Sequence, residues 1–446
     1  MNSITRRRFL GTSAAVAGAV SLSSSTAWAA DSPANKVVLA LIGAGGRGSA
    51  HLAGFLAVPG VEFKYICDVD YTRGGNLVQL AEKAQGRAPQ RISDMRQIFD
   101  DKDVHGVIVA TPDHWHALAT VWACQAGKDV YVEKNASYSI WEGRKMIEAA
   151  RKYKRIVQCG LQNRSAPYAN TARQYLASGK LGKIVHVKVY NLNPGGAFRA
   201  QPDLQAPATL DWDKWIGPAA LVPYNVSRHR DWYSWYDYCG GELGNDGSHQ
   251  LDLARNVLGD PPPPKHVHCA AGNYAYGSKR QTPEFQEVTY EFDDFVMTCS
   301  SGTFPAYLRK SNNEERNGSK FPLWSMNCER IEIYGTKQIM YVGRHGVGWQ
   351  VMEGEGKVVV EEKGVHPDKY HQPNFVECIR SRKLPNADVE IAHGAALLAH
   401  LGNIAYRCGN LRVEFDPAAE RFINCDAANA LVRQTMREKY RIPDEV

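Results

Sequence analysis

At 446 residues, with 44% hydrophobic and 22% charged side chains, the chain has ordinary globular composition and is too long for one ordinary core, so two domains are expected. The net charge of +6 is small and half of it comes from Arg6, Arg7 and Arg8, which argues against a nucleic-acid partner. Beyond the N-terminus no apolar run approaches the roughly 20 residues of a membrane helix, so the mature chain is read as water-soluble with no membrane anchor.

The N-terminus combines Arg6-Arg7-Arg8-Phe9-Leu10, a mildly apolar stretch from Gly11 to Leu22, and Ala27-Trp28-Ala29 as a small-x-small cleavage site. Residues 1–30 are therefore read as a twin-arginine signal peptide, whose machinery moves folded proteins. A periplasmic or otherwise exported protein is expected, with that machinery as a partner. No cysteine stands at the cleavage site, which leaves no lipid attachment point. The ten cysteines are scattered, with no C-x-x-C pair and no His/Cys cluster. Most are read as small buried hydrophobes, and no metal site is expected.

From residue 36 to 164, β-branched runs (VVLALIG, VEFKYICD, VHGVIVAT, DVYVEK, IVQCGLQ) alternate with helical patterns such as HALATVWACQAG. That alternation predicts an α/β, doubly wound parallel sheet of the Rossmann kind. Residues 165–446 read differently. IVHVKVYNLN alternates, an aromatic loop spans Pro194 to Tyr238, and a helical stretch, NDGSHQLDLARNVLG, follows. After the four prolines 261–264, alternating strands continue to about residue 363, and helical patterns return in the last eighty residues. This second domain is expected to be α+β with a mainly antiparallel open sheet.

Gly43-Ala44-Gly45-Gly46-Arg47-Gly48 is a G-x-G-x-x-G turn directly after an apolar strand and at the start of a helix. In that setting the glycines permit a tight turn and close backbone approach, and the helix N-terminus faces a pyrophosphate. Asp68, twenty residues beyond Gly48, ends the second strand, where a carboxylate accepts ribose hydroxyls. Because such a carboxylate repels a 2′-phosphate, NAD is favoured over NADP, although Arg73 is near enough to pair with a phosphate.

Thr111, Pro112, His114 and His116 follow one strand and Glu133-Lys134 follows the next, so both clusters are expected at the cofactor crevice. Lys134 is either a surface salt-bridge residue or a partner for a substrate hydroxyl. In GGELGNDGSHQLDLA, a helix from Asn245 would place Asn245, His249 and Asp252 on one face. That stripe is either solvated or part of a site.

With GAGGRG, CDVD, ATPDHWH, AGKDVYVEKN and GGELGNDGSHQLD in this order, the chain resembles the Gfo/Idh/MocA oxidoreductases, the group of glucose–fructose oxidoreductase and inositol dehydrogenase. The ending, HQPNFVECIRSRKLPNADVE with HGAALLAHLGNIA, resembles a bacterial subgroup often exported by twin-arginine signals. The resemblance implies a Rossmann domain and an α/β domain whose open sheet carries the substrate pocket and the contacts of a homo-oligomer, a dimer or tetramer. It places Lys134, from an E-K-P motif, beside the substrate, with Asn135 in place of the proline. It maps the histidine of a D-x-x-x-H pair onto His249, with Asn245 in place of the aspartate and Asp246 next to it. Asn245 cannot take a proton, so His249 is expected to be the base, with Asp246 or Asp252 orienting it and Lys134 stabilising the alkoxide. Arg164, Trp232, Tyr233 and Tyr236 are candidates to hold a sugar.

These readings predict an NAD-dependent enzyme acting on a secondary hydroxyl of a pyranose or polyol. Export away from the cytoplasmic pool further predicts tightly held, internally recycled NAD. Two alternatives are a glycosidase working by transient oxidation and elimination, and a non-catalytic sugar- or nucleotide-binding protein.

Overall fold

The computed structural model describes residues 36–446, so the signal peptide expected over 1–30 lies outside the described residues. Six strands, β1 Val37–Ile42, β2 Val61–Cys67, β3 Gln90–Ile92, β4 Gly106–Val109, β5 Asp129–Val132 and β6 Val157–Cys159, form one sheet in the order β3-β2-β1-β4-β5-β6. Every pairing in it is parallel. Every residue of β4 and β5 is buried, as a sheet covered on both faces requires. Helices α1 Gly46–Leu56, α2 Gly75–Gln85, α3 His116–Gln125 and α4 Ile140–Lys152 lie between the strands in sequence. Strand order reverses between β1 and β4, which opens a crevice at their carboxyl ends. β3 is not among the predicted runs, because its three residues, QRI, contain no β-branched pattern.

The second sheet has ten strands: β7 Ile184–Asn193, β10 His266–Gly272, β11 Phe285–Glu291, β12 Val296–Thr303, β13 Arg330–Gly335, β14 Ile339–Gly343, β15 Gly348–Glu353, β16 Lys357–Glu362, β17 Val413–Asp416 and β18 Arg421–Phe422. Their order is β16-β15-β14-β13-β7-β12-β11-β10-β17-β18, and β7 with β12 is a parallel pair among antiparallel neighbours. β7 and β11 alternate buried and half-exposed residues, the mark of a sheet covered on one face. That face packs on Tyr168 of α5 Pro167–Ala177, Leu251 of α7 Gly247–Val257 and Leu397 of α9 Val389–Arg407.

Two expectations change. The helix predicted from Asn245 is interrupted: α6 Gly241–Asn245 and α7 meet at Asp246, whose carbonyl accepts the His249 N–H at 3.2 Å. The stretch 165–446 is also not confined to the second domain. Phe375 and Val376 of α8 Asp368–Ser381 pack with Phe55 and Tyr131 of the first domain. Val389, Ala392, Ala395 and Ala396 of α9 join its other core, with Tyr440 and Ile442. α9 is apolar around most of its circumference, so its pattern announces burial without saying against which sheet.

The aromatic loop contains a small structured flap. A strand pair, β8 Asp203–Leu204 with β9 Tyr224–Asn225, accompanies a core of Leu210, Trp212, Trp215, Ile216, Tyr224 and Tyr238. It is pinned to the end of β2, where Tyr71 N–H donates to Thr209 O at 2.7 Å and Asp211 N–H donates to Val69 O at 3.0 Å.

Candidate active site

The crevice is a cavity of about 680 Å³ whose wall includes Gly43, Gly45, Gly46, Arg47, Asp68, Thr111, Pro112, Glu133, Lys134, Asn245 and His249. At the turn after β1, Gly43 has φ +94° and a Cβ there would lie 2.5 Å from Ala110 O. A Cβ on Gly48 would lie 2.0 Å from Gly43 O, so Gly48 serves the packing of the turn and does not line the cavity. Space is open beside Gly46 at the first residue of α1. Asp68 accepts Ala44 N–H and Asp70 N–H, each at 2.8 Å, and burial pushes its pKa up. A helix N-terminus opening on free space, with a carboxylate on the same wall, fits a dinucleotide. Arg73 also lines the wall, and its Nε sits 3.4 Å from Asp70.

The flap and Tyr440, near the C-terminus, add further residues to the wall. Trp215, Lys214, His229, Arg230 and Trp232 come from the flap, and Tyr440 packs edge-on against Trp115 at 5.3 Å. Of these, sequence reasoning singles out Trp232 alone, because the flap's docking on β2 has no local signature.

At the other half, Lys134 Nζ donates to Asn245 Oδ1 at 2.7 Å. Two long-range pairings hold this region. His116 contacts the carbonyls of Asn135 (2.6 Å) and Thr111 (2.9 Å) through its two ring nitrogens, locking together the chain segments after β4 and β5. Arg47 Nε donates to Glu133 Oε1 at 2.8 Å, and His51 Nε2 lies 2.6 Å from the same oxygen. Burial alone would raise Glu133, but the Arg47 guanidinium and His51 hold it well below the usual carboxylate range. The Lys134–Asn135 peptide is cis.

His249 is 6% exposed, and its Nδ1 is buried without a hydrogen-bond partner among the described residues. Burial lowers its pKa well below the usual histidine value, and Arg344 and Lys134 lower it further. Its ring is therefore neutral at neutral pH and able to accept a proton. His345 and His366 share the wall with it, as do Gln162 and Asp368. Gln162 follows β6 directly, whereas His345, His366 and Asp368 are missed by sequence reasoning because they arrive from the hairpin after β14 and from the start of α8, far along the chain.

Several expected site residues are placed elsewhere. Asp246 is not on the cavity wall: its carboxylate is taken by Arg344 (2.8 and 3.1 Å), Lys310 (2.7 Å) and Asn193 (3.0 Å). Burial would raise its pKa, yet Arg344 and Lys310 hold it well below the usual range. Asp252 and Arg164 pair with each other at 2.8 Å, and Arg164 also grips Asp260, so both are sealed into a buried ion cluster. Neither aspartate is thus hydrogen-bonded to His249 among the described residues. His114 is buried against the flap, its Nε2 3.1 Å from Trp215 O, and His116 is likewise buried behind the wall. Of the three aromatics expected to hold a sugar, Trp232 alone lines the cavity; Tyr233 and Tyr236 do not.

Comparison with known proteins agrees with this architecture. A family model described as an NAD-binding Rossmann fold of an oxidoreductase family matches residues 37–161, and the model of that family's C-terminal alpha/beta domain matches residues 186–303 and 351–442. A levoglucosan dehydrogenase of Pseudarthrobacter phenanthrenivorans is 26% identical over 319 residues, covering 67% of this chain and 71% of that protein. A glycosyl hydrolase family 109 protein of Stenotrophomonas maltophilia is 34% identical over 146 residues, 31% of this chain and 32% of its own. The solved structure of an aldose-aldose oxidoreductase from Caulobacter crescentus, complexed with glycerol, shares the fold with a TM-score of 0.62 at 18% identity, covering 85% of this chain and all of that one. With a glycine turn, strand-end carboxylate and open second sheet in place, and both family models matched in order, the chain belongs to the Gfo/Idh/MocA family of NAD-binding oxidoreductases.

Proposed function

We propose that the protein oxidises a secondary hydroxyl of a pyranose sugar or polyol. The observation that carries this reading is the convergence of Lys134, Asn245 and His249 on the cavity that also holds the glycine turn and Asp68. Asp68 and the N-terminus of α1 are the residues that hold NAD, which supplies the hydride acceptor when bound. His249 takes the hydroxyl proton, and Lys134 donates a hydrogen bond to the oxygen as negative charge develops on it. Asn245 fixes the Lys134 ammonium through its carbonyl without neutralising it. Trp232 offers an apolar ring face to a sugar.

The N-terminal signal pattern extends the reading to a protein exported already folded, with its NAD loaded beforehand. At an association rate of roughly 10⁶ M⁻¹s⁻¹, release over hours requires a dissociation constant below about 1 nM. Contacts with the flap residues and Tyr440 that line the cavity support slow release. A second sugar or ketone then takes the hydride back, closing the cycle without free coenzyme. A glycosidase that oxidises its sugar transiently is the second reading, favoured by the match to the glycosyl hydrolase family 109 protein over 146 residues.

Extensively desalted mature protein, denatured and assayed, should yield close to one NAD per chain; much less, with activity restored only by added NAD, refutes retention. Incubation with sugars and aryl glycosides separates the two readings. Ketone formation supports the dehydrogenase, aglycone release without net NADH the glycosidase, and a lack of any hydride exchange refutes both in favour of a binding protein.

A further inference from the structure

We propose that His345 and His366 carry the proton released by the reaction from His249 along the cavity wall to solvent. The proposal rests on the dehydrogenase reading. Oxidation of the alcohol breaks its C–H bond, sending a hydride to the nicotinamide ring, and its O–H bond, sending a proton to His249; the products are a ketone, NADH and one proton. That proton begins on a side chain that is 6% exposed and that, among the described residues, has no carboxylate hydrogen-bonded to it. It passes to solvent as the first half of the cycle ends, and a proton comes back by the same path when a second substrate takes the hydride back.

Three imidazoles stand in line. The ring centroids of His249 and His345 are 5.2 Å apart, those of His345 and His366 are 5.1 Å apart, and His366 Nδ1 lies 3.9 Å from Asp368 Oδ2. No hydrogen bond joins these rings among the described residues, and at this spacing a proton passes from one to the next through one bridging water. All four residues line the cavity, and the series ends at side chains that are 36% and 28% exposed, at His366 and Asp368. Among the described residues no group of three or more His, Cys, Asp or Glu is arranged to hold a metal, which removes the commonest other reason for clustered histidines.

The fold bends its backbone to put His345 there. The residue sits in the hairpin between β14 and β15 with φ +54°, the left-handed region that costs a side-chain-bearing residue energy. Asn163 Oδ1 holds its N–H at 3.0 Å, and a Cβ on the next residue, Gly346, would lie 2.3 Å from Arg316 O, so the turn has no slack. Burial, first, and fixed charge, second, disfavour a resting imidazolium along the series: Arg344 faces all three rings, Lys134 also faces His249, Arg316 also faces His345 and His366, and Arg47 also faces His366. Asp246 and Glu133 offset this partly at His249, and Asp368 draws the proton outward at His366.

The test is a single turnover in weak buffer, following NADH by absorbance and proton release with a pH indicator, for the wild type, His366→Gln and His345→Asn; asparagine tolerates the left-handed turn. Wild type should release its proton together with hydride transfer. Both variants should keep their bound NAD and KM while proton release and kcat fall about tenfold or more, and added imidazole should restore them. Unchanged rates, or a loss that imidazole does not rescue, overturn the relay. A raised KM with unchanged kcat would assign these histidines to substrate binding instead. Wild-type protein that forms no NADH with any sugar sinks the dehydrogenase reading, and the relay with it; an active wild type with indifferent variants sinks the relay alone.

Discussion

Around Gly43 and Asp68 the cavity wall is built from a turn and a strand end within one βαβ unit, and its contacts are between backbone atoms or from backbone to one carboxylate. Around His249 the wall is assembled from Lys134, Asn245, His345, His366 and Asp368, side chains brought together from distant stretches of chain. The first kind of wall tolerates no added atom at Gly43 or Gly48 but needs few partners. The second depends on charge and hydrogen bonding between distant elements. Substitutions should therefore fail in different ways at the two ends.

The largest effect is expected at the cofactor end. Gly48→Val puts a branched side chain where even a Cβ would lie 2.0 Å from Gly43 O, so the purified variant should carry no nucleotide after denaturation and assay while keeping the wild-type circular dichroism. Retained NAD would mean that the turn is not the cradle.

Next comes the ion cluster that holds the second domain's helix α7. Arg164→Met leaves Asp252 buried and unpaired, and should cost about 3–5 kcal/mol in denaturant unfolding. Activity per folded molecule should change little; a selective loss of sugar affinity at unchanged stability would restore Arg164 to the substrate site.

At the reacting end, Lys134→Met and His249→Ala should each lower kcat by roughly a hundredfold with NAD content unchanged. Near-normal rates in both would break the contrast, since the assembled wall would then have no chemical role. Its pH profile sharpens the same point. His249 has its pKa lowered in the folded enzyme, so it is already deprotonated at neutral pH and loses base function only when pH falls well below 6.5, the usual histidine value. The profile of kcat/KM should stay flat as pH drops through 6.5; a decline centred there or higher would identify a different base.

The smallest effect is expected at Tyr233, which lies off the cavity wall. Tyr233→Phe should leave kcat/KM within about twofold of wild type.

The cofactor end is legible in the amino-acid sequence. The strands of the first sheet carry continuous apolar runs because both of its faces are covered, and the G-x-G-x-x-G turn with Asp68 is a local device whose geometry follows from its own residues. Lys134 and His249 are legible too, since each follows a short motif at a strand end or a glycine pair. By itself the sequence determined the two-domain order and the glycine turn with its strand-end carboxylate, and it singled out Lys134 and His249, which the structure places on one cavity wall. Tertiary structure alone decided the rest. Whether Asp246 and Asp252 serve the site or an ion cluster depends on which arginine lies beside them, and Arg344 and Arg164 are both remote in sequence from the aspartates they hold. The docking of the flap on β2, the return of α8 and α9 to the first sheet and the line from His249 to His366 depend likewise on long-range packing. A periodic pattern states that a face is buried, and only the assembled chain states against what.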